Sequence, residues 1–352
     1  MLVLDAGSAP GNNLIRSLKA GEPSWVIVGC NDSPFTLKKS LADRNYLLPI
    51  SSSGYADALQ RIVAAERVDL VIPTSDRDVL RLAGIRSKLS CRTLLPRKTV
   101  IEQCGDKYSI TRLLRRRGIP APLTYPISSI AKVGAVFGRF RPRRRQLWCR
   151  IRSGSGSYAA IPVKSPQQAH SWIAYWEQMR GVPPGSFTLS EYLPGRDFCV
   201  QCLWQNGRLV LAKMAQRITY FNTGSPSGVS SMPTLAKSLF DQRLFDCCSE
   251  GVRAVDPRPS GVYFVDLKEN EHGEPCITEI NPGRFATMTN IHDLAGRYNM
   301  AVLYVRLALG ERVRIPGARD FAEDYYLVRS VDTEPAVIRA RELYRGLRGK
   351  DF

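Results

Sequence analysis

Near Pro96 the repeating pattern of the chain changes, and that change limits the folds open to it. Before Pro96, short apolar runs alternate with helical ones. Leu2–Leu4 is a strand, followed by a Gly/Asn-rich turn and a helix through Leu14–Lys19. Trp25–Val28 is a second strand, Asp57–Glu66 a helix, and Val68–Pro73 a third strand. Thr74–Asp78 then leads into a helix through Arg81. This alternation implies a small parallel α/β layer. Its functional loops lie at the carboxyl ends of the strands, which makes Asn12, Asn13, Ser75, Asp76 and Arg77 candidates for a ligand cleft.

After Pro96 the pattern becomes one of hairpins. Asp106 is a good N-cap for a helix running to Arg117, where Gly118 and Pro120 stop it. Ser129–Arg145 is basic and loop-prone. Leu147–Arg152 and Ala159–Val163 flank the run Ser153-Gly154-Ser155-Gly156-Ser157, and Gln167–Met179 reads as a helix. Thr188–Tyr192 and Asp197–Trp204 are strands, and Asn206-Gly207 is a strong hairpin turn into Arg208–Met214. Leu235–Val255 reads as one long helix. Tyr263–Lys268 and Pro275–Ile280 form another hairpin, and Met300–Leu309 is helical.

Charge is the unusual part of the composition. The 352 residues carry 50 Lys+Arg against 32 Asp+Glu, a net +18. From Lys107 to Trp176 there are 14 basic residues and no acid. Such a field suits phosphate-bearing partners. No apolar stretch is long enough for a membrane span. The start, MLVLDAGSAPGNN, lacks the basic region of a signal peptide. The nine cysteines are scattered, and the single CxxC, Cys199 and Cys202, lies in a strand, where an offset of three puts the thiols on opposite faces. No metal or redox site is expected there, and reduced thiols with a cytoplasmic location are the default. Three histidines, none near a Ser or Cys motif, argue against a His-based triad.

Three constellations carry chemistry. The loop Gly154-Ser155-Gly156 is not a Rossmann loop, because a strand follows it instead of a helix. A Ser/Gly loop between antiparallel strands can still wrap phosphate with backbone N–H groups. Arg150 and Arg152 precede it on one face. Asp266 and Glu279 sit symmetrically about the turn Glu271–Glu274, so their carboxylates face each other across the hairpin. Like charges so placed are destabilising, and a divalent cation such as Mg2+ removes the penalty. Asn281 shares the face of Glu279. The third constellation is Glu191-Tyr-Leu-Pro-Gly-Arg-Asp197, a strand–turn–strand segment. Taken alone, each fits a duller role: a hairpin tip with solvated arginines, an acidic edge relieved by Lys268, hairpin-end charges.

Taken in order, the pieces resemble the ATP-grasp superfamily, in the branch similar to the large chain of carbamoyl phosphate synthetase. The resemblance rests on Gly105-Asp106-Lys107 with a helix ending Gly118-Ile-Pro-x-Pro122, on Trp148-Cys-Arg150 before the Ser/Gly loop, on Glu191-Tyr-Leu-x-Gly-x-Asp197, and on Thr278-Glu-Ile-Asn-Pro-Gly-Arg284. It implies an N-terminal parallel α/β (pre-ATP-grasp) domain over 1–97. An ATP-grasp fold of two α+β subdomains would follow, the small one over 98–187 and the large one over 188–352. It implies that Lys107, Arg150 and Arg152 contact ATP phosphates and that Ser153, Gly154, Ser155, Gly156 and Ser157 close over the triphosphate. The backbone of Glu191, Tyr192 and Leu193 would read adenine, and Asp197 the ribose hydroxyls. Asp266, Glu279 and Asn281 would hold Mg2+ (or Mn2+). Arg284, Arg217 and Arg150 would stabilise the transferred phosphoryl group. Many relatives carry Lys where Arg150 stands and Glu or Gln where Asp266 stands, and Arg284 lies one residue later than usual.

The function so implied is an ATP- and Mg2+-dependent carboxylate–amine ligase acting through an acyl phosphate, on small-molecule carboxylate and amine substrates. Carbamoyl phosphate-like synthesis stays open. So does a nucleotide-degenerate protein that binds RNA or an acidic carrier through Arg139, Arg141, Arg143, Arg144 and Arg145 with Phe140 and Trp148, although no recognised nucleic-acid module is present. Oligomeric state is not legible, and a homodimer is compatible with the sequence.

Overall fold

A computed structural model of the protein describes residues 1–51, 54–140, 146–154, 156–221, 232–294, 296–320, 325–329 and 344–348. The first layer follows from the alternation. Strands β1 (Leu2–Leu4), β2 (Val28–Asn31), β3 (Arg44–Leu47) and β4 (Val71–Ile72) are joined by α1 (Ala9–Gly21), α2 (Pro34–Leu37) and α3 (Tyr55–Ala65), and α4 (Asp76–Ile85) follows β4. The strands run parallel, with β1 between β2 and β4. Ser8, Ser33 and Ser75 each accept a backbone N–H from the first turn of their helices. These starts therefore share the carboxyl edge of the sheet, where the strand order reverses and ligands bind in open α/β sheets. β2 begins three residues after the expected Trp25, because its pairing starts at Leu2↔Val28 and Asp43 takes the Ile27 N–H at 2.7 Å. β3 had no clear signal: of Arg44-Asn-Tyr-Leu47 only Tyr46 is buried.

The hairpin region builds two antiparallel sheets. Helices α5 (Lys98–Gly105) and α6 (Lys107–Arg116) meet at Asp106, which caps α6 as expected. Then come β5 (Thr124–Pro126), α7 (Val133–Phe137), β6 (Leu147–Ile151), β7 (Ile161–Val163), α8 (Pro166–Arg180) and β8 (Phe187–Glu191), giving a sheet in the order β5-β8-β6-β7. Its core joins Leu147, Cys149 and Leu189 to Ile173 and Trp176 of α8.

The larger sheet comes from β9 (Asp197–Gln205), β10 (Arg208–Tyr220), β11 (Pro233–Ser238), β12 (Gly261–Glu269), β13 (Pro275–Pro282) and β14 (Tyr326–Val328), in the order β13-β12-β9-β10-β11-β14. Helices α9 (Gln242–Val255), α10 (Thr289–Leu294) and α11 (Met300–Ala308) are inserted along it. The single helix expected over Leu235–Val255 is thus a strand and a helix. Pairing of β11 with the far end of β10 overrides the helical spacing, and Asp241 caps the helix that follows. Cys202 packs in the core under α9, while Cys199 lies on the opposite face beside Phe264 and Met288. All nine cysteines are free thiols.

The chain's last described strand, β15 (Leu347–Arg348), returns to the first sheet and pairs parallel with β3. The first layer also shares a core with the large sheet: Leu14, Ile15 and Leu18 of α1 cluster with Leu203, Leu211 and Tyr304. A buried polar knot ties the same parts together. Lys213 lies 3.3 Å from both Asp293 and Asp320, and Ser17 donates to Asp293 at 2.5 Å. The architecture is the parallel α/β layer followed by two α+β units that the sequence implied. Among the described residues no helix is long and apolar enough to cross a membrane.

Candidate active site

The β12–β13 hairpin places Asp266 directly opposite Glu279. The register shifts by one between Asp266 and Leu267, which pairs with Ile277, so Thr278 is an extra residue in a bulge. The bulge turns Thr278 and Glu279 both toward the cleft, while Ile277 and Ile280 stay in the core. Asn281 donates Nδ2 to one Asp266 oxygen at 3.1 Å, and Arg217 donates to the other. Arg150 donates to Glu279 at 3.1 Å and to the carbonyl of Thr278 at 3.2 Å; Lys107 Nζ lies 3.6 Å from Glu279. Burial pushes the Asp266 carboxyl above the usual carboxylate range; Arg217 opposes this and Glu279 adds to it. Burial also works against the charge of Arg217, but Asp266 and Asp197 outweigh it.

Arg217 is the hub of the acidic side. Besides Asp266 it donates to Asp197 at 3.0 Å, and its guanidinium lies over the Phe264 ring, 5.6 Å from the centroid. Asp197 also accepts from the Tyr220 hydroxyl at 2.5 Å. Among the described residues, the buried Nε atoms of both Arg150 and Arg217 have no hydrogen-bond partner. Buried donors without partners are costly, and here they flank a cleft of about 860 Å3.

The opposite wall is the Ser/Gly loop. Gly154, Gly156, Ser157 and Ala159 all have positive φ. A Cβ on Gly154 would come within 2.9 Å of Ile151 Cδ1, so this position requires glycine. Lys107, at the start of α6, takes the Arg152 carbonyl with its backbone N–H at 2.9 Å and the Gly154 carbonyl with its Nζ. At the loop's foot, Trp172 of α8 donates Nε1 to Ala159 at 3.1 Å, and the Tyr158 ring meets Trp176 edge-on at 4.5 Å. Beyond the loop, Trp148, Tyr192 and Leu193 form an apolar slot. Glu191 ends β8; its backbone N–H donates to the Leu123 carbonyl at 2.9 Å, and its carboxylate accepts the Leu123 N–H at 3.0 Å.

Lys107, Arg150, Gly154, Gly156, Ser157, Glu191, Tyr192, Leu193, Asp197, Arg217, Asp266, Glu279, Asn281 and Arg284 therefore meet at one cleft. Arg152 and Ser153 do not line it: Arg152 turns back to Asp106 and lies over the Tyr108 ring, because the period-two alternation ends with β6 at Ile151. Ser155 lies outside the described residues. Of the first-layer candidates, Ser75 and Asp76 reach the cleft and Asn13 bonds the Thr287 carbonyl at 2.5 Å. Asn12 is instead spent bracing the Gly7 and Lys39 backbones, and Arg77 pairs with Asp32 at 2.7 Å. The sequence reading missed Tyr158, Thr287 and Met288, which sit on the wall without any motif to mark them. In the basic run, Arg139 lies over Tyr125 and Phe140 is buried in the core, so Phe140 is no stacking platform. Arg141, Arg143, Arg144 and Arg145 lie outside the described residues.

No group of three or more His, Cys, Asp or Glu converges among the described residues. A divalent cation would rest on the carboxylates of Asp266 and Glu279 with the Asn281 amide. That all-oxygen set fits Mg2+, and a cation there would relieve the strain of two facing carboxylates.

No family model matches the sequence, and no curated protein does. Solved structures do match. An L-amino acid ligase from Bacillus licheniformis superposes with a TM-score of 0.67 at 12% identity, covering 88% of this chain and 73% of that one. The biotin carboxylase domain of Hydrogenobacter thermophilus 2-oxoglutarate carboxylase, solved with MgADP, ADP and bicarbonate, gives 0.71 at 14% identity, covering 92% and 72%. Carboxyaminoimidazole ribonucleotide synthase from Aspergillus clavatus, with ATP, gives 0.66 at 14% identity, covering 91% and 79%. The fold they share with this chain is the ATP-grasp fold.

Proposed function

We propose that the protein is an ATP- and Mg2+-dependent ligase that joins a small carboxylate to an amine. The observation that carries this reading is the facing pair Asp266 and Glu279, set in one cleft against Lys107, Arg150 and Arg217, with two buried arginine Nε atoms unpartnered. A cleft with oxygen ligands on one wall and the cationic side chains of Lys107, Arg150 and Arg217 beside them suits a metal–triphosphate. In this reading Asp266, Glu279 and Asn281 hold Mg2+, which when bound neutralises triphosphate charge.

Lys107 and Arg150 bind phosphate oxygens, and the loop from Gly154 to Ser157 folds over them and excludes water. Trp148, Tyr192 and Leu193 flank the base, with backbone groups of Glu191 to Leu193 at its edge, while Asp197 faces the ribose. A carboxylate oxygen of the acid substrate attacks the γ-phosphorus in line. The bond from that phosphorus to the bridging oxygen of ADP breaks, leaving an acyl phosphate. The amine nitrogen then attacks the acyl carbon, the C–O bond to phosphate breaks, and the nitrogen's proton leaves to solvent. The protein's part is positioning and charge stabilisation, so no nucleophilic side chain is required. The assignment is tested by ADP release with Mg2+, carboxylic acids and amines. Glu279→Ala lowers turnover by at least about 100-fold with an unchanged circular dichroism spectrum. Failure of ATP to bind at all overturns the reading.

A further inference from the structure

One charged pair in the cleft joins the first layer to the large sheet. Arg284, just after β13, donates Nε and Nη2 to the two oxygens of Asp76, the first residue of α4. A guanidinium has five N–H groups in one plane. Asp76 uses two of them, and Nη1 has no hydrogen-bond partner among the described residues. The fork formed by Nη1 and the outer Nη2 hydrogen is thus unspent, and both residues line the cleft with Glu279 and Asn281. Asp76 is the first residue of α4, and its side chain is 45% exposed, which leaves oxygen lone pairs open.

The pair therefore presents a cationic edge and an anionic edge side by side. A simple carboxylate on the Arg284 fork would bring its charge next to Asp76, and like charges at that range repel. A simple amine on Asp76 would face Arg284. A ligand with a carboxylate and an ammonium on one carbon satisfies both edges. Nearby, Ala286, Met288 and Phe264 pack into a small apolar floor on the cleft's wall, suited to an uncharged side chain.

We infer that the acid substrate is an apolar α-amino acid, its carboxylate on the open fork of Arg284 and its α-ammonium on Asp76. The inference rests on the ligase reading above. It places the carboxylate beside Glu279 and Asn281, where phosphoryl transfer is proposed, and makes Asp76 a specificity-determining residue.

Hydroxylamine serves as the test amine. Its nitrogen attacks the acyl phosphate, phosphate leaves, and a hydroxamate forms. Standard L-α-amino acids are supplied singly with ATP and Mg2+, each beside its des-amino analogue (isocaproate for leucine). An apolar amino acid is expected to yield hydroxamate with kcat/KM about 100-fold or more above its analogue. Asp76→Asn should raise KM for the amino acid about tenfold or more with KM for ATP unchanged, and Asp76→Glu should restore part of the loss. Equal use of amino acid and analogue, no use of any amino acid by an ATP-binding protein, or unchanged discrimination in Asp76→Asn overturns the inference and leaves nucleotide use standing. Absence of any MgATP-induced rise in thermal unfolding temperature overturns the ligase reading instead.

Discussion

At the scale of single residues, Arg217 has the largest consequence. It is the shared counter-ion of Asp266 and Asp197, and removing one partner of a buried ion pair leaves an uncompensated charge. Arg217→Met should cost about 3 kcal/mol of stability, measured by chemical denaturation at neutral pH. The pH dependence carries the sign. Burial already holds the Asp266 carboxyl above its ordinary value, and the arginine works against that. Without it the folded-state value rises further above the unfolded one, so the folded protein binds the extra proton. The variant's stability should then fall as pH rises from the unfolded carboxylate range through the raised value. Its deficit against wild type should shrink as the pH is lowered toward about 4. A deficit constant across that window would rule this account out.

At the scale of elements, the β12–β13 hairpin shows what a sequence does and does not disclose. Symmetry about the turn placed Asp266 opposite Glu279, which the register bears out. The pairs nearer the turn, such as Lys268↔Cys276, run one residue out of that symmetry, and the bulge at Thr278 brings the acids back into line. The signal was present: Ile277 and Ile280 are both core residues three apart, which strict alternation forbids. β11 hid for a different reason. Its partner strand lies across a long connection, and no local pattern reports a pairing of that range. Arg152 misled because face alternation holds only while the strand lasts. The Ser/Gly loop is the element most open to a local test. Gly154→Ala imposes a side chain where φ is 126° and Ile151 is close. Strain of this kind costs about 1–3 kcal/mol, so the affinity for ATP should fall about tenfold. The loop is peripheral to the core, so the thermal midpoint should move by only a few degrees.

At the scale of the whole molecule, the first layer is not an independent body. Its α1 face is completed by Tyr304, Leu203 and Leu211, its β3 edge by β15, and its Ser17 by the Asp293–Lys213 knot. No local pattern in the sequence reports that the last described strand, β15, returns to pair with β3. A fragment of residues 1–97 should accordingly show no cooperative thermal transition, whereas the full chain should unfold with both regions coupled. A fragment that melts sharply on its own would contradict this view of a shared core. The same coupling explains why Asp76 and Arg284, 208 residues apart, can share one hydrogen-bonded geometry.

The indole of Trp172 is tied to the carbonyl of Ala159, at the foot of the loop that faces the cleft, and Trp176 lies against Tyr158 of the same segment. Indole emission depends on the polarity and hydrogen bonding around the ring. Any movement of this segment is therefore written into the protein's own ultraviolet fluorescence, and ligand entry can be timed without attaching a dye.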